Sequence, residues 1–227
     1  MMLPQLLLHA LHSAPPRVGA VMMGGGVVQP RPATPLDTSA VVFAAAALPS
    51  GSVLPKLVVF DLDNTVWTPE LYTLRQLPNY ADAGPPGPKA CDDVWLIDGA
   101  AAALYELATC PAWKDTRVAV ASRTNKGAWA RTLLSTFEVP GDASRTLAEL
   151  MSGGVQIFPG SKLAHFERLQ EANDIGFDEM LFFDDSADGK YGNCAPVADL
   201  GVLSAHCPRG LTVDVWCNAV STYAQRT

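Results

Sequence analysis

Two aspartates separated by a single leucine follow an apolar run, in the stretch LVVFDLDNTVW at residues 57–67. A carboxylate at the end of a buried strand costs free energy unless a cation or hydrogen-bond donors compensate it. Asp61 and Asp63 are therefore the first candidates for chemistry. Carboxylate oxygens are the ligands that a hard cation such as Mg²⁺ prefers in proteins.

Polar residues follow three further apolar runs in the same way. The tripeptide SRT (122–124) ends the second run, PGSK (159–162) follows the third, and Asp184 and Asp185 end the fourth. In open parallel sheets, ligands bind beyond the carboxyl ends of the strands. Four consecutive runs that end in polar or charged residues therefore predict one shared site.

The order of the elements that would position these residues predicts the fold class. Short apolar runs rich in β-branched residues alternate with helical patterns, which is typical of a parallel sheet covered by helices on both faces. The sequence thus predicts an α/β domain with a three-layer, Rossmann-like parallel sheet. The predicted strands are 56–61, 117–122, 155–158, 180–184 and 201–204, and the predicted helices are 99–109, 126–137, 161–172 and a shorter one at 187–199.

Carboxylates from two strand ends form a candidate magnesium site. Asp61, Asp63 and one member of the pair Asp184 and Asp185 would supply oxygen ligands. Mg²⁺ commonly takes one or two carboxylates and keeps room for waters and a substrate phosphate. The residue types leave open which member of the pair binds the metal.

Cationic and hydroxyl side chains form a candidate phosphate site beside it. Lys162 opens a predicted helix with Ser161 as its N-cap, and its ammonium can hold Asp61 and a phosphate together. Ser122 and the backbone N–H groups after it can cradle phosphate oxygens. Arg123 offers a planar fork to the substrate.

These motifs together resemble the haloacid dehalogenase (HAD) superfamily. FDLDNTVW resembles its first motif, ASRT its second, Lys162 its third and FFDD its fourth. Within the superfamily, LPKLVVFDLDNTVW, VAVASRT, FPGSKLAHFERL and MLFFDD are similar to the magnesium-dependent phosphatase 1 group, which lacks a large cap domain. The resemblance covers about residues 54–215.

The resemblance implies a magnesium-dependent phosphomonoesterase and a role for each site residue. Asp61 would be the nucleophile that forms an aspartyl-phosphate, and Asp63 would protonate the leaving oxygen and then activate water. Asp61, the backbone carbonyl of Asp63 and Asp185 would bind Mg²⁺, with Asp184 either a further ligand or a support for the others. The residues expected to bind the substrate are Leu62, Ser122, Arg123 and Lys162.

The implied substrates are phosphorylated small molecules or side chains. They include sugar phosphates, fructosamine phosphates (phosphorylated sugars attached to protein amines) and phosphotyrosine. A dehalogenase is an alternative, but it needs neither Asp63 nor Mg²⁺. A non-catalytic phosphate- or protein-binding module is another. An EF-hand loop that begins at Asp61 is excluded, because Val66 and Tyr72 stand where it needs Gly and Glu.

Composition excludes several other classes of protein. The formal net charge is −7 and the sequence pI is about 5.0, so no bulk electrostatic attraction to nucleic acid or to anionic membranes is expected. No apolar run is long enough to cross a membrane. The five cysteines form neither a CxxC pair nor a C-x5-R loop, which argues against a disulfide framework, a zinc site and a thiolate phosphatase. Nothing in the pattern fixes an oligomeric state.

The chain divides by composition into a leader and a domain. Residues 1–36 contain no acidic residue and only two arginines, so we expect residues 1–53 to be either an organelle transit peptide or an unstructured extension, and 54–227 to be the domain. The expected location is cytoplasmic, plastid or mitochondrial accordingly. Segment 68–98 is expected to be a long loop over an open site, because the intervals between motifs leave no room for a cap domain.

Overall fold

The computed structural model describes residues 43–76, 87–189 and 192–226. All of them belong to one compact unit. The strands are β1 (Leu57–Phe60), β2 (Trp67–Thr68), β3 (Trp95–Leu96), β4 (Arg117–Ser122), β5 (Glu138–Val139), β6 (Asp142–Thr146), β7 (Gly154–Ile157), β8 (Met180–Asp184) and β9 (Leu203–His206). The α-helices are α1 (Asp98–Thr109), α2 (Gly127–Thr136), α3 (Leu147–Leu150), α4 (Lys162–Asn173), α5 (Cys194–Ala198) and α6 (Val213–Ala224).

A five-stranded parallel sheet in the order β7-β4-β1-β8-β9 forms the centre of the domain. The predicted α/β fold class is therefore confirmed. β1 lies in the middle, where Leu57 pairs with Arg117 of β4 on one side and with Met180 of β8 on the other. All four residues of β1 are buried, because the strand has neighbours on both edges and helices on both faces.

Alternate residues of the central strands enter two separate hydrophobic cores. Val58 and Phe60 face a large core with side chains of α1, α2 and α6. Leu57 and Val59 face a smaller core that contains Phe166 of α4 and Val197 of α5. The sheet thus has helices on both faces, as the continuous apolar strands predict.

Segment 68–98 carries more local structure than a loop. β2 and β3 form an antiparallel pair, and residues Leu71–Gln76 form a 3₁₀ helix. Residues 77–86 of this segment lie outside the described residues. Among the described residues, no insertion between β1 and β4 forms a separate domain over the sheet.

Several elements differ from the sequence prediction. α5 covers only Cys194–Ala198 of the helix predicted at 187–199, while the β2–β3 pair, the β5–β6 hairpin, α3 and α6 were not predicted. None of the helices in the described part of the chain is both long and apolar enough to cross a membrane.

A short N-terminal segment, residues 43–48, contacts the domain through Glu106 of α1. The Glu106 carboxylate is buried and accepts hydrogen bonds from the backbone N–H groups of Ala44 and Ala45, both at 2.8 Å. Phe43 stacks on Tyr105 at 5.7 Å between ring centroids. Packing against the domain therefore begins at least as early as residue 43, ahead of the expected boundary at residue 54. The rest of the expected leader, 1–42, lies outside the described residues.

Candidate active site

The carboxyl ends of β1, β4, β7 and β8 converge on one cavity of about 460 Å³. The sequence-predicted residues Asp61, Asp63, Ser122, Arg123 and Asp185 line it. Leu62 does not line it, because its side chain is fully buried in the large core. The full lining is Asp61, Asp63, Asn64, Glu70, Tyr72, Ser122, Arg123, Thr124, Asn125, Pro159, Gly160, Asp185, Ser186 and Asn193.

Lys162 lies behind the cavity wall and joins three strands. The Ser161 hydroxyl caps the N-terminus of α4 by accepting from the Leu163 N–H, which places Lys162 in the first turn. Its ammonium lies 2.7 Å from Asp61 Oδ1 and 2.9 Å from Asp184 Oδ2, and also donates to the Ala121 carbonyl. Burial lowers the pKa of Lys162, but the two carboxylates more than offset it, and the pKa is raised overall. The side chain is therefore a fixed positive charge.

Asp61 is buried at the end of the central strand. Burial raises the pKa of its carboxyl to about 7, and the Lys162 ammonium opposes that shift. Asp61 Oδ1 accepts the lysine hydrogen bond. A carboxylate held in this way and lining a cavity is suited to nucleophilic attack on a bound electrophile.

Asp63 lies in a tight turn after β1 and faces the same cavity. The Leu62 carbonyl accepts hydrogen bonds from the N–H groups of Val66 and Trp67, which closes the turn. The Trp67 indole Nε1–H then donates to Asp63 Oδ1 at 2.7 Å. Burial raises the pKa of Asp63, while the Trp67 hydrogen bond opposes the shift. A raised pKa suits a general acid, because the group retains its proton nearer to neutral pH.

Asp184 and Asp185 have different surroundings. Asp184 is fully buried, and its oxygens accept from Lys162, from the Ser186 backbone N–H at 2.8 Å and from the Asn193 amide. Asp185 is half-buried and lines the cavity, and burial raises its pKa with a further contribution from the Asp184 charge.

Three of these carboxylates could hold a metal ion. One oxygen from each of Asp61, Asp184 and Asp185 lies within 4.8 Å of the others. An all-oxygen donor set of this kind fits a hard cation such as Mg²⁺. Asp63 adds a carboxylate beside the same cavity, although its side chain is not part of that cluster.

Ser122 and Arg123 extend from the end of β4 into the cavity. Ser122 is buried, and its backbone carbonyl lies 3.0 Å from Nε2 of His165. Nε2 of His165 also lies 3.0 Å from the Phe158 carbonyl. The imidazole stacks on the Phe158 ring, with 3.8 Å between the ring centroids. His165 therefore joins the end of β4 to the loop that follows β7, and so helps to shape the cavity wall.

The sequence analysis did not single out two residues that contact the predicted site residues. Trp67 binds Asp63, and Asn193 bridges Arg123 and Asp184. The spacing of Trp67 four residues after Asp63 is a signal in the sequence, because a tight turn brings such positions together. Asn193 follows a glycine-containing stretch and carries no comparable signal.

A family model described as acid phosphatase matches residues 53–226. Magnesium-dependent phosphatase 1 of Homo sapiens is 33% identical over 173 residues, which cover 76% of this chain and 89% of that protein. A HAD-like hydrolase superfamily protein of Schizosaccharomyces pombe is 32% identical over 136 residues, 59% of this chain and 77% of that one. The structure of a haloacid dehalogenase-like family hydrolase from Xanthomonas campestris matches with a TM-score of 0.50 and 14% identity, over 78% of this chain and 95% of that chain. This last similarity supports the fold.

Proposed function

The chain belongs to the acid phosphatase family of the HAD superfamily, and we propose that it hydrolyses phosphomonoesters with Mg²⁺ through an aspartyl-phosphate intermediate. The observation that carries the proposal is the placement of Asp61. Lys162 holds this buried carboxylate at the cavity wall, and Asp63 lies beside it with a raised pKa. This arrangement supports Asp61 as the attacking group and Asp63 as the proton donor.

The first half-reaction transfers the phosphoryl group to Asp61. A carboxylate oxygen of Asp61 forms a bond to phosphorus as the bond between phosphorus and the leaving oxygen breaks. Asp63 donates its proton to that leaving oxygen, so the product departs as a neutral alcohol. Ser122 and Arg123 supply hydrogen-bond donors to the phosphoryl oxygens, and Lys162, whose three N–H groups bind Asp61, Asp184 and the Ala121 carbonyl, contributes positive charge from behind the cavity wall.

The second half-reaction hydrolyses the aspartyl-phosphate. Asp63, now ionised, takes a proton from a water molecule, and the water oxygen attacks phosphorus as the bond to Asp61 breaks. Inorganic phosphate leaves, Asp61 regains its carboxylate and Asp63 regains its proton. The Trp67 indole hydrogen bond keeps Asp63 oriented in both steps.

Asp61 and Asp185 are the proposed side-chain ligands of Mg²⁺, with the Asp63 backbone carbonyl beside them. Asp184 completes the carboxylate cluster, but its oxygens already accept hydrogen bonds from Lys162, Ser186 and Asn193. It is therefore better suited to orient Lys162 than to bind the metal directly. When bound, Mg²⁺ supplies positive charge that offsets the charge of the phosphoryl oxygens.

The proposed substrates are sugar phosphates, fructosamine phosphates or phosphotyrosine. The cavity is lined largely by polar side chains, including Asn64, Glu70 and Asn125, which can bind the hydroxyl groups of a sugar. The described residues form no domain over the site, so a phosphate carried on a protein side chain could also reach it.

The decisive experiment is detection of the aspartyl-phosphate. Asp63→Asn should slow hydrolysis of the intermediate, so mixing this variant with 4-nitrophenyl phosphate and Mg²⁺ should leave one phosphoryl group on the protein after acid quenching. Mass spectrometry should locate that group on the peptide that contains Asp61. Asp61→Asn is the matched control and should remain unmodified. Steady turnover by native protein with no phosphoryl group on Asp61 in either protein would contradict the mechanism.

A further inference from the structure

Asn193 occupies a buried position between the substrate-facing and metal-facing parts of the cavity. Its side-chain carbonyl accepts a hydrogen bond from Nη1 of Arg123 at 2.9 Å. Its amide donates to both oxygens of Asp184, at 2.9 and 3.1 Å. Only 7% of the residue is exposed, so water cannot easily replace these bonds.

The bonds of Asn193 continue a connected set of polar groups. Asp184 accepts from Lys162, and Lys162 donates to Asp61. The chain of contacts therefore runs from Arg123 through Asn193, Asp184 and Lys162 to the proposed nucleophile. An arginine side chain has many rotamers, and an acceptor fixed on the protein reduces the number it samples before a ligand binds.

We propose that Asn193 is a positioning residue that orients the Arg123 guanidinium for phosphate binding. The hydrogen bonds of its amide to Asp184 hold Asn193 in place for this role. This inference rests on the proposed phosphatase function, because it assigns Arg123 to phosphate. The carbonyl of Asn193 binds Nη1 of the guanidinium, and a guanidinium can contact phosphate oxygens through more than one of its N–H groups. Its amide needs two acceptors, and the Asp184 carboxylate provides both.

The test is a double-mutant cycle on phosphate binding. Inorganic phosphate is titrated by calorimetry, in the presence of Mg²⁺, into native protein, Asn193→Ala, Arg123→Ala and the double variant. Asn193→Ala should weaken phosphate binding about tenfold, as expected for a lost hydrogen bond to a charged group. In the Arg123→Ala background, Asn193→Ala should change binding less than twofold, because the group it orients is gone.

Asn173 provides a matched control outside the cavity. Its carbonyl oxygen accepts from Arg117 at 3.0 Å, and its amide donates to the Gly153 and Leu169 carbonyls, both at 2.8 Å. Asn173→Ala therefore also removes an acceptor for an arginine and two amide donor contacts, here to neutral carbonyls. It should lower the melting temperature but leave phosphate binding and the KM for 4-nitrophenyl phosphate within twofold of native values.

A shape-conserving variant covers the case in which Asn193→Ala does not fold. Asn193→Leu keeps a similar side-chain volume and removes both the acceptor for Arg123 and the donors to Asp184, so phosphate binding should weaken about tenfold when Arg123 is present and less than twofold in the Arg123→Ala background. Equal effects of Asn193→Ala with and without Arg123, or native phosphate binding in Asn193→Ala, would overturn the proposal.

Calorimetry measures phosphate binding and does not require turnover. Absence of hydrolysis by native protein would instead contradict the proposed function, which keeps the two failures distinguishable.

Discussion

The contact between Glu106 and the N-terminal segment 43–48 makes a strong prediction about stability. Glu106 is 1% exposed, and its carboxylate accepts four hydrogen bonds. Two come from the backbone of Ala44 and Ala45, and two come from the indole groups of Trp113 and Trp216, at 2.9 and 2.7 Å. The negative charge is thus balanced by oriented donors. Two perturbations test this balance: removal of residues 43–48 and removal of the Glu106 charge.

The expected loss of stability follows from the number of bonds removed. A hydrogen bond to a charged group contributes about 1.5–3 kcal/mol. Glu106→Gln leaves one oxygen to accept and turns an amide N–H₂ toward two donors, so about 3–5 kcal/mol should be lost. Removing residues 1–48 takes away two donors and the Phe43–Tyr105 stack. Because water can partly replace the two donors, we expect a loss of about 3 kcal/mol, or a fall in Tm of roughly 6–12 °C.

Two truncated variants isolate the contribution of the segment. One begins at Ser39 and keeps residues 43–48, and the other begins at Pro49 and lacks them. Urea unfolding, followed by tryptophan fluorescence, gives the free energy of unfolding of each. Glu171→Gln, at an exposed position of α4, is the control for a lost glutamate charge and should change stability by less than about 0.5 kcal/mol.

Non-additivity provides the sharpest check on this reasoning. Glu106→Gln should cost less in the variant that begins at Pro49, because two of its hydrogen-bond partners are already absent. Equal unfolding free energies for the two truncated variants would refute the argument. So would a Glu106→Gln effect of the same size in both.

Three further predictions concern the site. Asp61→Asn should abolish turnover while the unfolding transition remains cooperative; measurable steady-state hydrolysis in a clean preparation would exclude Asp61 as the nucleophile. EDTA should remove activity, Mg²⁺ should restore it, and excess Ca²⁺ should inhibit, because Ca²⁺ takes more ligands at longer distances; full activity after exhaustive chelation is the contrary result. At limiting Mg²⁺, kcat/KM should fall about tenfold per pH unit below about 7, because burial raises the pKa of Asp61 to about 7 and only the ionised form attacks. Added Mg²⁺ should move this limb to lower pH, since positive charge favours the carboxylate; a limb that Mg²⁺ does not move would count against Asp61 as a ligand.

The strands that carry the site were predictable because each is a short, continuous apolar run. The predicted strands 117–122 and 180–184 coincide with β4 and β8. The strand predicted at 201–204 begins two residues later, as β9, because Gly201 adopts a positive φ of 107° in the preceding turn. Periodicity gives the type of an element more reliably than its boundaries.

The helices were predicted unevenly, for local physical reasons. α4 has a serine N-cap and an amphipathic pattern, and it lies within a residue of the prediction. α5 is shorter than predicted because glycines at 189 and 192 interrupt the pattern before it. α6 contains β-branched residues that weaken helix propensity, and the Thr212 cap and the buried Trp216 stabilise it in the fold. The packing of Trp216 is a tertiary feature that its local sequence does not show.

The convergence of the motifs was predictable, but their supporting contacts were not. Motif order at strand ends was enough to bring Asp61, Lys162 and Asp184 together. The bond from Arg123 to Asn193 joins residues 70 positions apart, and the bonds to Glu106 span up to 110 positions. Such pairs depend on the three-dimensional arrangement of several elements, so single-residue patterns do not reveal them. The catalytic and metal-binding roles of the site residues stay predictions.

The central position of β1 affects when the site can assemble during synthesis. A ribosome releases β1 before either of its neighbours, and 101 positions separate Asp61 from Lys162. During synthesis, Asp61 therefore has no ammonium to bind, and the edge where β8 belongs stays open. Both neighbours pair over long sequence distances, which slows folding and favours late assembly of parallel sheets. A nascent chain should thus bring Asp61, Asp184 and Asp185 together only after β8 has emerged. The candidate active site should therefore form in one late step of folding.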